Sequence, residues 1–280
     1  MVGLGRMGAG MARRLAEAGL APRCFDLSPD ARTAMGPGAV ETLAAAMRDC
    51  DVVVLSLPHG AAVAAAVAAF VAGAAPGAVL VDTSTLDVGQ TRALAAEVAA
   101  SGRGFLDAPV SGGPAGAASG GLTMMVGGAE ADLARVRFVL EVLASRIIHV
   151  GAVGAGQVAK VANNLLVAAH LVAAGEAMRL VAAAGVPVGA VLGVVNAASG
   201  RSAATEVNMP RWILSGSFDS GFTAGLMRKD VGLALDLAHS EGLDLPVLER
   251  AGAVWRRDAA AVADGADFNR VAAWAMEGGA

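Results

Sequence analysis

Gly3-Leu4-Gly5-Arg6-Met7-Gly8 fits the spacing G-x-G-x-x-G and runs directly into a helical pattern over residues 8–18. Each glycine has a physical task in such a turn. The first makes the tight bend, the second lets backbone approach a pyrophosphate, and the third packs helix on strand. The N–H groups opening the helix then face the phosphates. Eighteen residues after Gly8 stands Asp26, at the end of the next apolar run, where a carboxylate accepts hydrogen bonds from an adenosine ribose. The turn plus the acid predict a dinucleotide site made by residues 3–8 and Asp26. One feature disagrees: such a turn follows a strand, and only Met1 and Val2 precede Gly3. Either the start is assigned several residues late or the central strand is severely shortened, and the first is the expectation.

Working outward, short apolar runs at 22–26, 51–57, 78–82, 104–107, 123–126 and 146–150 alternate with helical patterns at 8–18, 61–74, 88–100 and 130–144. Strands separated by helices of this length predict an α/β domain, a doubly wound, mostly parallel sheet covered on both faces. Loops at strand C-termini bind ligands in such sheets, which brings in Leu57 and Pro58 after one strand and Thr85 after the next. Ordinary capped turns would look the same. After Gly156 the character changes. Residues 157–184 form one helical run closed by Gly185 and Pro187, followed by helical patterns at 188–197, 226–241, 245–263 and 268–276. The expected domains are therefore 1–150 and an all-α 151–280, the second opened by a long interdomain helix.

Composition narrows the class. The chain has 280 residues and a formal net charge of −4, without long charge runs, which gives no footprint for nucleic acid or anionic membrane. Mean hydropathy is +0.58, yet the apolar stretch at 59–75 stops at Pro76-Gly77. The one at 158–184 contains Lys160, Asn163, Asn164, His170, Glu176 and Arg179, so neither reads as a membrane span. Arg13-Arg14 lies inside an amphipathic run and reads as helix surface, not as an export signal. Cys24 and Cys50 are too few for a disulfide framework, and no His/Cys/Asp cluster has metal-ligand spacing. The reading is a soluble, cytoplasmic protein without a metal. His59, His149, His170 and His239 read as structural or surface residues.

Of 21 basic residues only Lys160 and Lys229 are lysine. In a chain so biased to arginine, a retained lysine marks a place that needs a compact, deprotonable ammonium. Lys160 and Asn164 stand i, i+4 near the start of the long helix and share one face. The alternative is that Lys160 is simply exposed. Asp107-Ala108-Pro109-Val110-Ser111-Gly112-Gly113-Pro114 follows a strand, and its glycine amides with the Ser111 hydroxyl could hold a carboxylate or form a plain loop.

These motifs together resemble the β-hydroxyacid dehydrogenase family, most closely the 3-hydroxyisobutyrate dehydrogenases and their relatives. The resemblance covers the 3–8 fingerprint, Leu57-Pro58, Ser84-Thr85, 107–113, 154–164 and Lys229-Asp230-Val231-Gly232-Leu233, nearly the whole chain. It implies a Rossmann-type first domain and assigns Lys160 as acid/base. It further implies that Ser111, Gly112, Gly113 and Asn164 bind the substrate carboxylate and oxygen, and that Lys229 reaches the site beside the cofactor. Imine-reducing relatives lack the lysine at position 160, sulfolactaldehyde-reducing relatives carry Arg near position 112, and 6-phosphogluconate dehydrogenases have a much longer helical domain. Ser199-Gly200-Arg201-Ser202 is similar to a 3-hydroxyisobutyrate dehydrogenase segment, but Ala203 and Ala204 stand where a Trp usually follows, which leaves the exact substrate open.

The expected reaction is reversible hydride transfer between NAD and the carbinol carbon of a small 3-hydroxy acid. The cofactor calls on Gly3, Leu4, Gly5, Arg6, Met7, Gly8, Asp26, Leu57, Pro58, Thr85 and Lys229. NADP is less expected, because Asp26 repels a 2′-phosphate and Leu27 stands where NADP users carry Arg. Alternatives are a semialdehyde reductase of the same family, a non-catalytic NAD-binding protein, and another Rossmann enzyme such as a methyltransferase. A homodimer or homotetramer is expected, since Ala/Gly-rich helix faces allow close approach.

Overall fold

A computed structural model describes residues 1–257 and 261–279, and the chain divides into two compact units, Met1–Lys160 and Val161–Ala280. In the first unit the strands are β1 (Val52–Leu55), β2 (Val79–Asp82), β3 (Gly104–Asp107), β4 (Val110–Ser111), β5 (Leu122–Gly127) and β6 (Ala144–Gly151). The sheet order is β1-β2-β3-β5-β4, with β6 also paired to β5 off this path. The β1–β2, β2–β3 and β5–β6 pairings are parallel, and β5 meets β3 and β4 antiparallel. The helices of this unit are α1 (Gly8–Glu17), α2 (Pro29–Met35), α3 (Leu43–Met47), α4 (Gly60–Gly73), α5 (Val88–Ala100), α6 (Gly113–Ser119) and α7 (Glu130–Leu143). Strands β2 and β3 are buried at every position, as expected of strands covered on both faces. One core gathers Met11, Leu15, Val81, Leu106, Met124 and Leu140, and another Val53, Leu55, Val67, Phe70, Leu80 and Val98.

The run at 22–26 is not a full strand; Cys24 and Phe25 make only isolated bridges, to Ala39 and Val2. Val2 also bridges Leu55. Around it the hydrogen bonds are those of a central parallel strand: Phe25 N–H donates to Met1 O at 3.0 Å and Gly3 N–H to Phe25 O at 2.9 Å. On the other side Val2 N–H donates to Val54 O at 2.9 Å and Ser56 N–H to Val2 O at 2.9 Å. Val2 thus lies between Phe25 and β1, hydrogen-bonded on both sides.

Helix α8 (Ala155–Ala183) starts in the first unit and continues through the second, which adds α9 (Val188–Ala197), a π-helical segment (Ala204–Ile213), α10 (Ala224–Ser240), α11 (Pro246–Arg257) and α12 (Arg270–Met276). The expected helix at 245–263 ends earlier, and residues 258–260 of it lie outside the described residues. Among the described residues α8 is the one helix long and apolar enough to cross a membrane. Its Val161, Leu165, Ala168, Leu171 and Val172, spaced three and four apart, instead enter the core of the second unit with Met209, Val231 and Trp255. Trp255 is fully buried, and its indole N–H donates to Ala168 O at 3.1 Å.

Candidate active site

The glycine turn is built by close contact. Gly3 has φ +89°, a left-handed backbone, and a Cβ there would lie 2.2 Å from Ser56 O. A Cβ on Gly8 would lie 1.9 Å from Gly3 O. Gly5 differs: a Cβ there meets nothing within 4 Å. The fold therefore demands Gly3 and Gly8 for its own packing, while the space beside Gly5 is open, as the approach of a pyrophosphate requires. Asp26 closes the turn. Its Oδ2 accepts from Leu4 N–H at 2.7 Å and its Oδ1 from Ser28 N–H at 2.8 Å. Each oxygen keeps a lone pair for a ribose hydroxyl. Arg32 donates to the carbonyls of Asp26 and Leu27, at 2.8 and 3.2 Å, and pairs with Glu41 at 3.3 Å. The guanidinium is thus engaged beside the ribose end. These features fit the adenosine ribose of a dinucleotide. Arg6 is exposed and Met7 half-buried at the start of α1.

Beyond the turn, Leu57 N–H donates to Ser84 Oγ at 2.9 Å, so the loop holding Leu57 and Pro58 is tied to the loop that continues to Thr85. Ser111 closes β4 opposite Thr123. Gly112 then turns with φ +126° and caps the short helix α6, in which Gly113 and Pro114 open the first turn. Helix α1 lies close against α6, since a Cβ on Gly10 would be 3.2 Å from Ala118 N. The fingerprint helix and the helix following Ser111 are therefore neighbours.

Lys160 is buried, 8% exposed, so the exposed alternative does not hold. Asn164 is also buried and donates from Nδ2 to Asp230 Oδ2 at 2.6 Å; its own Oδ1 accepts from Asn163 at 3.0 Å. Lys229 Nζ sits 3.3 Å from Asp230 Oδ1. Asp230, 2% exposed, thus joins Asn164 and Lys229 within the second unit, a role the sequence reading did not assign. Three of the histidines make local contacts: His59 caps α4 by accepting from Ala62 N–H at 3.2 Å, His149 Nε2 lies 2.8 Å from Gly128 O, and His239 faces Glu249 at 3.3 Å on the surface; His170 is exposed.

Known proteins resemble this chain over nearly its whole length. Residues 1–151 match the family model described as the NAD binding domain of 6-phosphogluconate dehydrogenase. Residues 154–275 match that described as NAD-binding of NADP-dependent 3-hydroxyisobutyrate dehydrogenase. A probable 3-hydroxyisobutyrate dehydrogenase of Mycobacterium tuberculosis is 38% identical, with 96% of this chain and 95% of the relative covered. The NAD-dependent L-serine dehydrogenase of Pseudomonas aeruginosa is 37% identical, with 91% and 90% covered. A solved structure of M. tuberculosis 3-hydroxyisobutyrate dehydrogenase with L-serine superposes at a TM-score of 0.91, covering 97% of this chain and 96% of that one. With relatives this similar over nearly its full length, the chain belongs to the β-hydroxyacid dehydrogenase family and is an NAD(P)-dependent oxidoreductase.

Proposed function

We propose that this enzyme interconverts a small 3-hydroxy acid and its semialdehyde, with Lys160 as the general acid/base. The observation that carries the reading is the burial of Lys160 on α8. Burial penalises an ammonium, and a lysine so placed is one whose proton can be exchanged. When bound, the nicotinamide would accept the hydride of the carbinol carbon in the oxidative direction. The neutral Lys160 amine takes the hydroxyl proton as the C=O forms, and the ammonium returns it in reduction. Ser111 and the amides of Gly112 and Gly113 hold the carboxylate. Asn164, its amide oriented by Asp230, hydrogen-bonds the substrate oxygen, and Lys229 adds positive charge beside cofactor and acid. Residues 1–150 serve the cofactor, with Gly3, Leu4, Gly5, Arg6, Met7, Gly8, Asp26, Leu57, Pro58 and Thr85 along it. Residues 151–280 serve substrate and assembly. NAD is the preferred cofactor, on the strength of the Asp26 geometry. The relatives act, by name, on 3-hydroxyisobutyrate, 2-(hydroxymethyl)glutarate and L-serine, which supports the substrate class.

Lys160→Ala is expected to leave folding and NAD binding intact and to lower turnover by about 10²–10⁴. Lys160→Arg is expected to be nearly as damaging, because a guanidinium keeps the charge and does not give up its proton. Turnover of the Arg variant near wild type would overturn the assignment. A panel of 3-hydroxyisobutyrate, L-serine, glycerate, 4-hydroxybutyrate and propanol sorts the substrate, and equal rates on propanol would contradict the carboxylate role of Ser111, Gly112 and Gly113. The same reading makes the protein a soluble, cytoplasmic homodimer or homotetramer. The outward Leu166 and Val247 beside the α8–α11 groove support self-association, and light scattering showing a stable monomer would refute it.

A further inference from the structure

Two fully buried polar side chains of the first unit, Asp107 and Gln157, have no part in the chemistry above. Asp107 ends β3. Its Oδ1 accepts from Gly154 N–H at 2.7 Å and its Oδ2 from Gln157 N–H at 2.9 Å, with Gly156 N–H also directed at the carboxylate. These amides open α8 and have no acceptor within the helix. The Gln157 carboxamide makes a second tie: Oε1 accepts from Leu86 N–H at 3.1 Å, and Nε2 donates to Ser84 O at 2.9 Å. Gly156 lets the helix start press onto the sheet, since a Cβ there would lie 2.3 Å from Met125 O and 2.6 Å from Asp107 O.

A serine or asparagine cap would satisfy a helix start without burying a charge. Here an entire carboxylate is withdrawn from water, at a desolvation cost that stability alone does not call for. Burial pushes the Asp107 carboxyl up from its ordinary value, and the surrounding backbone amides pull it partly back. Lys160 stands three residues after Gln157 and four after Gly156, above the same face of α8.

We propose that Asp107 is a positioning residue for Lys160: its carboxylate fixes the depth and rotation of the first turn of α8, and through that turn the place of the lysine amine. The inference rests on the reading of Lys160 as acid/base. A misplacement of about 1 Å at a reacting group costs up to roughly a hundredfold in rate.

The test is a double-mutant cycle on the full-length enzyme with NAD and 3-hydroxyisobutyrate or L-serine, whichever turns over faster. Asp107→Asn keeps one acceptor and removes the charge. It is expected to lower kcat by roughly tenfold to a hundredfold, to leave KM for the acid and NAD affinity within about twofold, and to shift the kcat–pH profile. In the Lys160→Ala background the same substitution is expected to cost less than about twofold, because a group acting through Lys160 has nothing left to position. Asp107→Ser, with one shorter acceptor, is expected to give the same signature and serves if the Asn variant does not fold. Equal losses in both backgrounds, or a kcat above half of wild type, would overturn the positioning role. Full turnover by Lys160→Ala alone would instead remove the acid/base reading, and the two failures are separate rows of one table.

Discussion

The chain uses one device twice, and the two uses differ in where water is. At the first glycine turn a strand-end aspartate, Asp26, accepts the N–H groups of Leu4 and Ser28 at the edge of the sheet. At the second, Asp107 accepts those of Gly154 and Gln157 with no solvent at all. The first carboxylate remains half-exposed and keeps acceptor capacity for a ligand. The second gives all its capacity to the protein. A carboxylate at the rim of a glycine turn can therefore serve recognition, while the same group in the interior serves register.

The largest expected effect that tests this contrast is at the glycines of the first turn. Gly8→Ala brings a Cβ against the Gly3 carbonyl and is expected to cost about 3 kcal/mol or more, read as a lost or strongly lowered melting transition. Gly5→Ala meets open space, so stability should stay within about 0.5 kcal/mol. Its effect should fall on NAD affinity, weakened about tenfold by titration, which is about 1.4 kcal/mol. Equal destabilisation by both would show that the turn is shaped for packing alone.

Next in size is the cofactor ratio. Wild type is expected to prefer NAD over NADP by at least about tenfold in kcat/KM, about 1.4 kcal/mol. Asp26→Asn should shrink that ratio while leaving the turn folded, since an amide oxygen still accepts from one N–H. A wild-type preference for NADP would mean that Arg32 answers to the 2′-phosphate in spite of Glu41.

The smallest effect is in the pH dependence of stability. Asp107 has its carboxyl raised in the folded state, so the folded chain binds that proton more readily than the unfolded one. Its favourable contribution is complete below the ordinary aspartate value and is lost as pH rises through the raised one. The melting temperature of wild type relative to Asp107→Asn should therefore improve on acidification from neutral toward about pH 4. A relative decline would mean that the amide bonds outweigh desolvation.

What could be read from sequence followed from period and punctuation. The helices at Val88–Ala100 and Val188–Ala197, the strand Gly104–Asp107 and the change to all-helical structure come from runs long enough to show a pattern. Several short or irregular elements were not readable, the two-residue strand β4 among them. Helix α6 holds Gly113, Pro114 and Gly116 in seven residues, a composition that reads as loop until Gly112 turns the chain into it. Helices α2 and α3 have seven and five residues, too few for periodicity. The π-helical segment Ala204–Ile213 contains Pro210, which reads as a helix breaker. Wider turns, such as the 2.8 Å bond from Leu214 N–H to Met209 O, carry the helix past it. In the site, glycine spacing and lysine scarcity pointed to residues 3–8 and Lys160. Asp107 was visible only as the first letter of a loop motif, because its partners are backbone amides nearly fifty residues away.

The burial of Trp255 against Ala168 has a consequence in optics. The chain has no tyrosine, and its three tryptophans are Trp212, Trp255 and Trp274, all beyond the first unit. Near-ultraviolet absorbance, circular dichroism and intrinsic emission therefore watch the helical unit, with Trp255 emitting from a dry, hydrogen-bonded pocket. The unit that holds the glycine turn and Lys160 is nearly dark. A melt followed at the tryptophan band and one followed in the far ultraviolet observe different parts of the molecule, and coincidence of the two would be a direct measure of whether the halves unfold as one.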